Sequence, residues 1–72
     1  MAERRRSRVP ETYDEALTQV REFGLPVEVE AAFVLGGWKK EATSEDELRA
    51  LVAEGQRLSP VGEVTLYWNL ED

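Results

Sequence analysis

Residues 12–37 read TYDEALTQVREFGLPVEVEAAFVLGG, and a change of period inside them decides the fold. In the first half, Tyr13, Ala16, Leu17, Val20 and Phe23 recur at helical spacing and form one apolar stripe. Thr12 with Glu15 three residues on is a capping box, which satisfies amide groups left without partners at a helix start. Gly24 can take the positive φ that closes a helix, Leu25 can fold back toward Val20, and Pro26 blocks continuation. From Val27 the period becomes two. Val27, Val29, Ala31, Phe33 and Leu35 point one way and Glu28 and Glu30 the other, the pattern of a half-buried strand. Gly36-Gly37 then reads as a two-residue hairpin turn. That register sets Trp38 against Leu35, Lys40 against Phe33 and Ala42 against Ala31. Lys40 is tolerable on the apolar face only near an edge, so the return strand is short or the loop longer than two residues.

Downstream, Ser44 with Glu47 forms a second capping box. It opens a helix in which Leu48, Leu51 and Val52 share a face, with Gly55 ending it or sitting in its last turn. Acidic Glu45, Asp46 and Glu47 suit the positive end of the helix dipole. Ser59-Pro60 and Gly62 mark a turn. From Glu63 to Leu70 alternation returns, with Val64, Leu66, Trp68 and Leu70 inward and Thr65, Tyr67 and Asn69 outward.

The order α-β-β-α-β implies an α+β two-layer sandwich, two helices on one face of a small, mostly antiparallel three-stranded sheet. Strand order 2-1-3 is expected, with the last strand parallel to the second and at an edge. Upstream, Arg4, Arg5, Arg6 and Arg8 stand against a single acid, Glu3. Residues 1–9 read as a flexible basic arm and 10–72 as one domain. Were the arm to pair as a fourth strand, the split β-α-β pattern of ferredoxin-like folds would result. A central strand made of arginines argues against this, whereas cross-strand pairing with Glu28 and Glu30 argues for it.

Composition limits the chemistry. A chain of 72 residues fits one domain, and it contains neither cysteine nor histidine. It therefore has no disulfide, no thiolate metal site and no Ser-His-Asp or Cys-His arrangement of its own. No catalytic residue, cofactor or metal site is assigned. The acids at 45–47 read as a solvated helical turn, and Gly36-Gly37 lacks the Lys-Ser/Thr of a P-loop. An enzyme is not expected.

Net charge is −6, carried by the body rather than the arm. The favoured reading is a small acidic protein-interaction domain, an inhibitor or antagonist of a larger protein. It would dock through the sheet face bearing Glu28, Glu30, Thr65, Tyr67 and Asn69. A second reading is a nucleic-acid accessory protein whose Arg4, Arg5, Arg6 and Arg8 contact phosphates. A third is an engineered domain, since two capping boxes and clean patterning are what a designer would write. An exposed strand edge could also support a homodimer. No signal peptide or membrane span is apparent, which makes the cytoplasm the expected location.

Overall fold

The computed structural model describes residues 5–69. Six elements follow in order: β1 (Arg5–Arg8), α1 (Tyr13–Phe23), β2 (Val27–Ala31), β3 (Lys39–Ala42), α2 (Glu45–Leu58) and β4 (Val64–Asn69). The four strands form one antiparallel sheet in the order β1-β4-β2-β3, roofed on one face by the helices. The α+β two-layer architecture is the one the sequence implies.

Both helices begin where their caps stand. The Glu15 amide donates to Thr12 Oγ1 at 3.2 Å and the Glu47 amide to Ser44 Oγ at 3.1 Å. The return contacts reach one residue further back than an ideal capping box. Glu15 Oε1 accepts from the Glu11 amide at 3.0 Å, and Glu47 Oε1 accepts from the Thr43 amide and hydroxyl at 2.7 and 2.6 Å. These bonds to its charged form hold the Glu47 carboxyl below its ordinary value, the Thr43 hydroxyl contributing most. Helix α1 ends at Gly24, whose φ of 94° and ψ of 178° suit glycine alone, and whose amide donates to the Val20 carbonyl at 2.6 Å.

The core joins Ala16 and Val20 of α1, Leu48 and Val52 of α2, and Val27, Val29, Ala42, Val64, Leu66 and Trp68 of the sheet. Trp68 fixes the sheet to the end of α1. Its ring meets Phe23 edge-on at 5.2 Å, and its Nε1 donates to the Gly24 carbonyl at 2.8 Å.

Four expectations need correction. Arg5–Arg8 is a strand rather than a flexible arm, and Arg4, with the rest of 1–4, lies outside the described residues. The strand sits at the edge rather than the centre, so only its backbone and one side are covered and its arginines need no core. Consequently β4 lies between β1 and β2 and is no edge, while the relative order of the other three strands, β3-β2-β4, is the one expected. Leu70 lies outside the described residues.

The fourth correction concerns the register of the hairpin, whereas the short return strand and longer loop that Lys40 called for are found. Strand β2 stops at Ala31, and residues 32–38 form a loop far longer than a two-residue turn. Ala42 faces Val27, and Lys40 faces Val29. Because β3 is the other edge, Lys40 keeps its ammonium exposed, 5.9 Å from the Trp38 ring centre.

Candidate functional site

The open face of the sheet gathers the outward residues of all four strands. Register sets Arg5 beside Asn69, Ser7 and Glu28 beside Tyr67, Glu30 beside Thr65 and Lys39, and Glu28 beside Glu41. The five outward residues named from sequence, Glu28, Glu30, Thr65, Tyr67 and Asn69, are thus neighbours. Two like charges opposed at Glu28 and Glu41 would destabilise the sheet. Two cations offset them: Arg5 Nη2 donates to Glu28 Oε1 at 2.6 Å, and Lys39 Nζ stands 3.8 Å from Glu28 Oε2. The Arg5 guanidinium also lies 4.3 Å from the Tyr67 ring centre. Partial burial, and secondly the Glu30 carboxylate, raise the Tyr67 hydroxyl above its ordinary value. This face is a lattice of opposite charges that ties all four strands together.

The arginines of β1 divide by parity. Arg5 joins the open face, whereas Arg6 and Arg8 turn to the helix side and lie 4.2 and 5.0 Å from the ring centre of Phe23. Three side chains singled out for a phosphate backbone are therefore engaged within the fold. The acids at the start of α2 also diverge, Glu47 turning to Thr43 and Glu45 to Arg21 at 3.3 Å.

Among the described residues the most exposed large apolar side chains lie in the loop 32–38, which the sequence reading absorbed into a strand and a tight turn. Its neck is closed by the Ala31 amide donating to the Trp38 carbonyl at 3.0 Å, and by the Ala32 amide donating to the Glu63 carbonyl at 2.9 Å. Beyond the neck, Phe33 is 78% and Leu35 102% exposed. Phe33 holds φ at 59°, rare for a bulky side chain. Gly36 and Gly37 each hold φ at 80°, and the Gly37 amide donates to the Val34 carbonyl at 2.8 Å. Two cations follow at once. Strand alternation sends Lys39 to the open face and Lys40 to the helix face, one on either flank of the loop. A glycine backbone that admits close approach, flanked by ammonium groups, is chemistry suited to an anion. The signal in the sequence was the run GGWKK. Its glycines were set aside as a phosphate loop for want of the Lys-Ser/Thr of a P-loop, and Phe33 and Leu35 continue the apolar phase of β2.

Comparison with known proteins gives these features a family. Residues 2–69 match the family model described as carbamoyl-phosphate synthase L chain, ATP binding domain. Among curated proteins, the carbamoyl phosphate synthase large chain of Pseudarthrobacter chlorophenolicus is 41% identical over 66 residues, covering 90% of this chain and 6% of the relative. That of Thermotoga neapolitana is 42% identical over 62 residues, covering 85% and 6%, and that of Clostridium acetobutylicum 39% over 54 residues, covering 74% and 5%. The chain thus spans about one-twentieth of the length of these relatives. No solved structure matches it.

These matches overturn the functional expectations drawn from sequence. A non-enzymatic antagonist, a nucleic-acid accessory and an engineered domain are all replaced, because the relatives are chains of a natural synthase and the matched domain is named for ATP. The expectation that the chain stands outside enzyme chemistry fails with them. It failed because the absence of histidine and cysteine speaks against side-chain nucleophiles and thiolate metals, and says nothing about nucleotide binding. By the match across residues 2–69, the chain belongs to the family of ATP-binding domains of the carbamoyl-phosphate synthase large chain.

Proposed function

We propose that this chain takes part in holding ATP within a ligase of the carbamoyl-phosphate synthase kind, and that it meets the nucleotide through the loop 32–38. The observation that carries the reading is the pair Gly36-Gly37, both at φ 80° in an exposed loop, in a chain of an ATP-binding family. Phosphoryl oxygens are bound by backbone amides that can be approached closely and by ammonium groups acting as point charges. The Gly36 amide supplies the first, that of Gly37 being taken by the Val34 carbonyl, and Lys39 and Lys40 supply the second. Lys40 is the freer cation, since Lys39 also leans on Glu28. Transfer of a phosphoryl group rests on positioning and charge stabilisation more than on side-chain nucleophiles, so a segment without histidine or cysteine suits the task. Among the described residues no helix is long and apolar enough to cross a membrane. An ATP requirement accords with a cytoplasmic place.

The test is a titration of the 72-residue chain with Mg·ATP, followed by amide chemical shifts. Shifts should concentrate at Gly36, Gly37, Lys39 and Lys40. Lys40→Ala should weaken binding roughly three- to tenfold, the loss of one exposed charge-assisted contact. Gly37→Val should weaken it further, because valine disfavours φ near 80°. No shift at the loop under saturating nucleotide, or shifts confined to the open sheet face, would remove the reading.

A further inference from the structure

We infer that Gly55 is a positioning residue for the loop 32–38, acting through the indole of Trp38. The inference rests on the nucleotide reading of that loop and adds the element that aims it.

Gly55 lies buried in the last turn of α2, a place where glycine is a poor helix former. Space explains its presence. A Cβ built there would stand 2.6 Å from Val64 Cγ1 and 3.0 Å from Cζ3 of Trp38, so both neighbours would have to move. The bare backbone of α2 is therefore the seat on which the Trp38 ring rests. Trp38 is the last residue of the loop and the only aromatic side chain of the loop packed against the core; Phe33, at the other end, is exposed. Its carbonyl closes the neck by accepting from the Ala31 amide. Immediately before it come Gly36 and Gly37, neither with an atom within 4 Å of a would-be Cβ. Apart from the Gly37 amide's bond to the Val34 carbonyl within the loop, no neighbour crowds either glycine. Where the glycines point thus depends on where the indole sits, and the indole sits where α2 lacks a side chain.

Two variants separate this role from plain core packing. Gly55→Ala crowds both Val64 and Trp38, whereas Gly55→Ala with Val64→Ala relieves only the 2.6 Å approach to the valine. The double variant should regain thermal stability toward the parent. It should still show a displaced Trp38 indole N–H resonance, faster amide exchange over residues 33–37, and Mg·ATP affinity lower on the order of tenfold, since small misplacements at a site are costly. Two results would overturn the inference. One is an unchanged Trp38 resonance and loop exchange in Gly55→Ala. The other is affinity that recovers in step with stability in the double variant. If the parent chain binds no nucleotide, the ATP reading falls, and the resonance and exchange measurements still decide the seat of Trp38.

Discussion

At the scale of single residues, hydrogen bonds to charged forms give this protein a pH dependence that can be worked out in sign. Glu47 accepts two bonds from Thr43, and its carboxyl titrates below its ordinary value in the fold. A lowered folded value means the contribution is present above the unfolded value and is lost as pH falls through the folded one. Glu47→Ala should therefore melt below the parent at pH 7, with the difference closing in acid; thermal melts across pH check it. A gap that persists unchanged below the carboxylate range would show that the contact works by packing. Trp68 is a second residue whose role is chemical as well as bulky. Trp68→Phe leaves the Gly24 carbonyl without its 2.8 Å donor and opens space beside Phe23, which should cost about 1–3 kcal/mol by urea unfolding. Neither role was in view from sequence alone. The capping pattern predicted Glu47 at its position but not Thr43 as its partner, and alternation placed Trp68 inward without revealing its acceptor.

At the scale of elements, what could be read depended on whether a segment's own side chains needed burial. Helices α1 and α2 and strand β2 announce themselves, because each carries an apolar face and explicit ends. Strand β1 does not. An edge strand is held by backbone hydrogen bonds on one side, so Arg5–Arg8 could pair with β4 while presenting no apolar pattern. The one clue was complementary charge, and it holds only in part: Arg5 reaches Glu28 past the intervening β4, while Arg6 and Arg8 turn to Phe23. The loop 32–38 failed in the opposite way: Phe33 and Leu35 keep the strand's phase after the chain has left the sheet, so periodicity overran the true end at Ala31. Glycine and lysine in GGWKK were visible, but their anion-binding geometry depends on φ values that no pattern reports. A consequence for β1 follows. Removing residues 1–8 should lower stability on the order of 2 kcal/mol, since β4 loses its outer hydrogen bonds and Phe23 loses the guanidinium groups of Arg6 and Arg8. Urea midpoints of the full and shortened chains check this. Equal midpoints would mean that the strand adds no net stability.

At the scale of the whole molecule, charge acts over distances comparable with the fold itself. Net charge is −6 on a body of 35 × 26 × 17 Å. At about 0.01 M salt the screening length is roughly 30 Å, so nearly every carboxylate feels every other; at about 0.15 M it is roughly 8 Å. Salt also weakens the attractive pairs, Arg5–Glu28, Lys39–Glu28 and Arg21–Glu45, and the balance decides the sign. Those pairs have side chains a third or more exposed at one or both ends, and such pairs contribute about 0–1 kcal/mol each. Repulsion summed over an acidic surface has no such local limit and opposes compaction. Raising salt across this range should therefore raise the melting temperature, with sodium chloride and potassium chloride acting alike because screening is not ion-specific. The same screening should ease the approach of Mg·ATP, itself an anion, to an acidic molecule, while weakening its final contact with Lys40. Affinity should thus pass through a maximum at intermediate salt instead of falling steadily. A monotonic fall would mean that the ammonium groups beside the loop, and not the field of the whole body, govern the encounter.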